Sequence, residues 1–274
     1  MLGDDDRTQP PPCHFTLARD IWLQPLQIQD VRNASSLEEG IIDIDFFAEN
    51  GVSSWALDLN KINFWLGNED DYTRYQLYLW FSVRLMDAEL VIGDQRVPMP
   101  DLWLDATGFE REDALLPWPK NVHNGYRVLQ EYFCYPESFF FFHLRDAVPL
   151  PEGFHGGAFT LRLHFNQPLP VDVKLRASSL HLFCTPVVNL FVHQAEPIAP
   201  DGSMPQYPLR ASHQHPDAYD IFRVKSVSSK VSISAEIAGV TSPSRLWPEF
   251  ESFNHQMEYS QQREVVYWHH KIGR

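Results

Sequence analysis

The chain has 274 residues, 44% of them hydrophobic and 21% charged, a globular balance that can bury one large core or two smaller ones. Its formal charge of −14 argues against nucleic acid or anionic lipid as the main partner, because both need a positive surface. Cys13, Cys134 and Cys184 are widely spaced and form no C-x-x-C pair, which suggests neither a disulfide framework nor a cysteine zinc site and favours a reducing, cytoplasmic setting.

No apolar run approaches the roughly 18–20 residues of a spanning helix. The start, Met1-Leu2-Gly3-Asp4-Asp5-Asp6, is unlike a signal peptide, so neither export by that route nor direct membrane insertion is expected. Residues 1–13 read as a loose acidic and proline-rich lead-in. Phe15 to Val31 carries β-type residues interrupted by Pro25, and Ile41 to Phe47 alternates apolar and acidic positions as a half-buried strand does. Asn50-Gly51 is a turn signal. Trp55 to Leu66 gives a further strand pattern, with Ala56, Leu57, Leu59, Ile62, Phe64 and Leu66 as its buried set.

Asp70-Asp71 can cap a helix running through Tyr72, Tyr75, Leu79, Val83 and Met86 and packed on two sides, although Leu77, Leu79, Phe81 and Val83 also alternate as a strand would. Glu89 to Asp94 is a strand and turn, and the proline-rich span Val97 to Lys120 reads as a long ordered loop. Gly125 to Leu144 is the organising stretch. It reads as a short helix ended by Pro136 and a strand of four consecutive phenylalanines, Phe139 to Phe142. Gly125 would permit the turn into that helix, and Glu131 is a lone carboxylate among aromatics. Phe159, Leu161, Leu163 and Phe165 then alternate inward after a glycine turn, and Leu180 to Phe191 adds an apolar stretch.

Around Ala195 to Gly202 the composition shifts to proline, glycine and histidine, which places a boundary there. Beyond it, Ile221 to Val224 and Val231 to Ile237 are strand-like, with turns at Gly239 and Pro243. The expected fold is mainly β with inserted helices (α+β). A β-sandwich-like domain spans 14–195, with helices near 71–87 and 124–134. A linker and a second, incomplete β-rich domain occupy 196–274.

Glu131 and Glu137 are the most tempting acid pair, since retaining glycosidases use two carboxylates. The break at Pro136 gives their oxygens no reason to face each other, and a structural Glu131, bonded to an arginine or a backbone N–H, is the preferred reading. His213-Gln214-His215 and His269-His270 lie in polar segments without metal-ligand spacing. No G-x-S-x-G, P-loop or G-x-G-x-x-G occurs. No catalytic, metal or cofactor residue is therefore assigned, and the aromatic surplus suits a protein interface.

The residues nevertheless resemble a family. Gly125-Tyr126, Leu129, Glu131-Tyr132-Phe133, Pro136-Glu137 and Phe139 to Leu144, with Phe141 at its centre, look like the central signature of TssF, also called ImpG or VasA, the baseplate subunit of bacterial type VI secretion systems. Asn189-Leu190-Phe191, Ala195-Glu196-Pro197-Ile198 and Tyr207-Pro208-Leu209 resemble the family's next block in order. Pro248 to His255 with Tyr267-Trp268 is a third match, departing at Glu249 and Glu251, where the family is more aromatic. The resemblance covers nearly everything from about Phe15 onward and corresponds to the middle portion of the family's length.

It implies a non-enzymatic role without cofactors. In that family TssF joins TssG and TssE into wedges, with a second copy of itself in each. Bound to TssK, the wedges surround the VgrG spike as the cytoplasmic platform for sheath and tube assembly, docked at the inner membrane complex. The alternative is a carbohydrate-binding or carbohydrate-cleaving β-sandwich, which predicts an exposed aromatic strip beside clustered carboxylates.

Overall fold

The computed structural model describes residues 11–67, 70–198 and 206–229, together with strands at 245–247, 254–258 and 263–269. Backbone contacts divide the chain into two units, Thr16–Val188 and Met1–Phe15 with Asn189–Arg274.

Thr16–Val188 contains β1 (Thr16–Leu17), β2 (Leu26–Asn33), β3 (Gly40–Ala48), β4 (Asn63–Trp65), α1 (Asp71–Leu79), β5 (Leu85–Ile92), β6 (Gln95–Met99) and β7 (Trp103–Thr107). After these come α2 (Asn124–Cys134), β8 (Phe141–Arg145), β9 (Gly157–Phe165) and β10 (Val187–Val188). One antiparallel sheet has the order β2-β3-β9-β5-β6 and a smaller one β4-β8-β7, while β1 pairs with β10. The fold is mainly β with inserted helices.

The period-2 pattern of β3 and β9 makes the core. In register, Ile44 faces Leu161 and Phe46 faces Phe159, so one face of the large sheet is apolar throughout. The small sheet supplies Phe64, Leu104, Phe142 and Leu144 to the same core, and the Phe46 and Phe64 rings stack at 6.2 Å across the two sheets. Each buried phenylalanine contributes roughly 1.5–3 kcal/mol relative to exposure.

The outer face of the large sheet is polar but not loose. Arg32, Asp43, Arg162 and Glu89 lie in one cross-strand row. Arg162 grips Asp43 with two bonds, Nε to Oδ1 at 2.7 Å and Nη2 to Oδ2 at 3.0 Å, and this pairing holds the guanidinium pKa above its ordinary value.

Several expectations need correction. Trp55 to Leu66 is not one strand: it forms 3-10 turns at Ser54–Ala56 and Leu59–Lys61 before the three-residue β4, and Ala56 is exposed. Asp70 does cap α1, its carboxylate accepting from Thr73 N at 3.0 Å. The helix does not reach 87, however. It passes through a π turn at Trp80–Arg84 into β5, and it buries Thr73, Leu77, Trp80 and Phe81 while Tyr72, Tyr75, Leu79, Val83 and Met86 stay exposed.

Val97 to Lys120 is not merely a loop, for it holds most of β6 and all of β7. Pro98 is tolerated because β6 is an edge strand with no second neighbour needing its missing N–H. The four phenylalanines are not one strand: Pro136–Phe139 is a 3-10 turn and β8 begins at Phe141. In the second unit, Ile221 to Val224 has no regular structure, and Val231 to Ile237, Gly239 and Pro243 lie outside the described residues. That unit holds β11 (Gln206–Pro208), β12 (Val227–Ser229), β13 (Arg245–Trp247), β14 (Asn254–Glu258) and β15 (Arg263–His269). They form a β11-β15-β14 sheet and a β12-β13 pair.

Gly156 fixes the turn into β9. Its φ is +85°, and a Cβ there would collide with the Glu49 carbonyl oxygen, so Gly156→Ala should lower stability by about 1 kcal/mol or more, read as a fall in Tm. An unchanged Tm would show that the turn relaxes freely.

His143 gives a pH handle. It stands on β8 between Asn63 of β4 and Asp105 of β7, and burial, aided by Arg145, lowers its pKa from the ordinary 6.5. The fold therefore holds the neutral ring, whereas the unfolded chain takes up a proton near pH 6.5, so this contribution is complete above about pH 6.5 and is lost as pH falls below it. Between about pH 7.5 and 5.5, His143→Gln should show a shallower loss of Tm than the parent chain. Parallel curves would refute this.

Candidate protein-interaction surface

An eleven-residue helix carrying Tyr126, Leu129, Tyr132 and Phe133 would be expected to turn those side chains inward. Instead α2 buries its two charged residues. Arg127 and Glu131, one turn apart, are 1% and 4% exposed, whereas Tyr126, Leu129 and Phe133 are 71%, 57% and 80% exposed.

The buried side is fully engaged. Arg127 donates from Nε to Asn124 Oδ1 (2.8 Å), from Nη1 to Glu131 Oε2 (2.8 Å), and from Nη2 to the carbonyls of Gly108, Phe109 and Glu110 (3.0, 3.0 and 2.9 Å). Glu131 Oε1 accepts from Leu115 N (3.0 Å) and Trp118 Nε1 (3.1 Å). One ion pair thereby fastens α2 to the segment 108–118, satisfying backbone groups that strand pairing leaves open. Asp113 Oδ2 closes the same segment by accepting from Gly108 N at 2.8 Å.

Glu131 is thus committed to three donors and shielded from solvent. Nothing in that arrangement directs it toward Glu137.

Gly125 sits inside the first turn of α2, after the His123 cap, and is not among the glycines with positive φ, so the turn into the helix does not require it. Pro136 does stop α2: Tyr135, at φ −152° and ψ 74°, has left the helical region, which the proline ring after it disfavours.

The phenylalanine run supports the exposed aromatics from below. Phe139 lies under Tyr132 (5.8 Å between ring centroids) and Phe140 under Tyr75 (5.3 Å). The Tyr75 and Tyr132 hydroxyls meet at 3.0 Å, joining the exposed faces of α1 and α2. Phe141 is buried on the other side of β8 from Phe142, with the Arg19 guanidinium over its ring at 5.6 Å.

The second signature block lies in the other unit. Asn189, Phe191 and Pro197 are exposed there, Leu190 is half-buried, and the Phe191 ring stands 4.9 Å from His14. Glu196 accepts from His213 N at 3.1 Å and pairs its own N–H with the Arg210 carbonyl. Of the third block, Trp268 on β15 pairs with Tyr207 of the second block on β11, while 248–253 lies outside the described residues. Among the described residues, no three His, Cys, Asp or Glu side chains form a metal-binding group, and no helix is long and apolar enough to cross a membrane.

Sequence reasoning missed Arg127, Trp118 and the outward set of α1. The available signal was the four-residue Arg-to-Glu spacing opposite the Tyr126, Leu129 and Phe133 stripe. Period alone shows two faces without saying which is buried.

Comparison with known proteins gives concordant findings. The sequence model of the family described as "Type VI secretion system, TssF" matches residues 3–274. The chain is 27% identical over 248 residues to the type VI secretion system component TssF1 of Pseudomonas aeruginosa, covering 83% of this chain and 39% of that protein. It therefore spans about two fifths of the length of that curated relative. It is also similar, with a TM-score of 0.66 and 30% identity, to a chain in the cryo-electron microscopy structure of the type VI secretion TssK-TssF-TssG baseplate subcomplex, covering 73% of this chain and 38% of that one.

Proposed function

The chain belongs to the type VI secretion system TssF family, and from that premise we propose that it is a structural subunit of a baseplate wedge, held together with TssG and TssK. The observation that carries this reading is the likeness to a chain of the TssK-TssF-TssG subcomplex. The inside-out α2 supports it, because a helix that exposes Tyr126, Leu129 and Phe133 is built to be covered.

The reading extends to TssE, to the VgrG spike, to a second copy in each wedge and to support of sheath and tube assembly in a cytoplasmic baseplate docked at the inner membrane complex. The role is non-enzymatic and needs no cofactor. Residues 14–195 would supply the β-sandwich-like body and 196–274 a linker and the start of a second β-rich domain. The signature residues, Glu131 and Phe141 foremost, would serve folding of the body rather than chemistry.

The test is co-expression with TssG, TssK and TssE of the same organism, followed by affinity and size-exclusion chromatography. A stable complex containing this chain is expected. No complex, together with saturable binding of a glycan, would overturn the reading in favour of a carbohydrate-binding sandwich.

A further inference from the structure

We infer that the exposed seam of α2, continued by α1, receives an amphipathic helix from a partner subunit, one with an apolar stripe at three-and-four spacing and basic residues at its flank. The inference rests on the assembly reading above and names the surface that reading leaves open. Tyr126, Leu129 and Phe133 stand at i, i+3 and i+7 on α2, and Tyr72, Tyr75 and Leu79 repeat that spacing on α1. The tyrosine hydroxyl contact joins the two stripes. This is the periodicity by which one helix reads another in a groove.

An extended segment would need an open strand edge, and two helices offer none. A shallow, open hollow at the start of α2 is lined by His123, Tyr126, Val128 and Leu129. The face is also held rigid, because Arg127 and Glu131 lock α2 from beneath, so little ordering is needed on binding.

Charge selects among occupants. The outward side of α2 carries no charged residue, since its Arg and Glu are both buried. Acid outweighs base at the start of the α1 stripe: Asp71, 85% exposed, pairs with Arg74 at 3.6 Å, and Asp172, which accepts from the Tyr72 hydroxyl at 3.4 Å, adds a second carboxylate. With a formal excess of −14 on the chain, a second copy or an anionic membrane would meet like charge, whereas a basic-flanked helix meets its complement.

The experiment places the photo-cross-linker p-benzoylphenylalanine at position 133 of the chain, co-expresses it with TssG and TssK, and maps the cross-linked peptides. Expected is a partner segment with apolar residues at helical spacing and Lys or Arg at its flank. Cross-links to a second copy, to an acidic or extended segment, or to nothing would overturn the assignment.

In parallel, Leu129→Asp/Phe133→Asp should weaken capture of the partners roughly tenfold or more with unchanged Tm, and the milder Leu129→Ser/Phe133→Ser should weaken it in the same direction. Capture by both variants at the parent level overturns the docking surface and leaves the assembly reading standing. Failure of the parent chain to capture either partner overturns both. Binding of the parent chain to phosphatidylglycerol vesicles, lost in the variants, would assign the face to a membrane instead.

Discussion

Replacing Arg127 by methionine will lower the stability of the unit Thr16–Val188 by about 3–5 kcal/mol, because it leaves Glu131 buried without its cation. The loss goes beyond one ion pair. Arg127 Nη2 is shared by three consecutive carbonyls, from Gly108 to Glu110, and each would need another donor, the Gly108 carbonyl in a buried place and the other two in part-buried ones.

The double variant Arg127→Met/Glu131→Leu therefore should not recover full stability, unlike a simple buried pair replaced by apolar residues. Leu115 N and the Trp118 indole would lose their acceptor as well. Arg127→Lys should fall between, since an ammonium cannot reproduce the fork. Urea unfolding followed by tryptophan fluorescence reads all three. A change below about 1 kcal/mol for Arg127→Met would mean that the segment 108–118 is held by something else. Glu131→Ala is expected to reduce soluble yield and complex formation together, and Glu131→Gln should also destabilise.

Phe142→Ala is the second large effect, about 3–5 kcal/mol. Phe142 is wholly buried, meets the Phe81 ring edge-on at 5.5 Å and lies 5.1 Å from Tyr78. It binds the turn after α1 to the middle strand of the small sheet, and neighbours fixed by two sheets cannot collapse into the vacated space. Phe141→Asp should also fail, for a different reason: it would bury a carboxylate on the far side of β8, where the part-buried Arg19 over the ring already donates to the Asp113 and Ser138 carbonyls. Thermal unfolding of Phe142→Ala within about 2 °C of the parent chain would sink the account of a shared, rigid core.

The strands that form the core were legible because burial on one face imposes a period of two. Ile42, Ile44 and Phe46, then Phe159, Leu161, Leu163 and Phe165, read as they fold. The extent of α2 was legible too, from its helical spacing and from Pro136. The short strands β6 and β7 were not: five-residue segments at or next to a sheet edge carry too little pattern, and Pro98 points away from a strand unless the edge position is known. The passage from α1 through a π turn into β5 was hidden for a related reason, since Leu77 to Val83 satisfies both periods.

The sequence by itself determined an acidic, mainly β chain with no motif of a familiar enzyme, and its signature residues carried a family resemblance. Only the tertiary structure decided which way the helices face. Period sorts Arg127 and Glu131 from Tyr126, Leu129 and Phe133, but transfer energies alone would bury the aromatics. The carbonyls of 108–110 and the N–H of Leu115 reverse that choice, because buried backbone groups need partners and α2's ion pair supplies them. The aromatic stripe is left outside, where another chain can cover it.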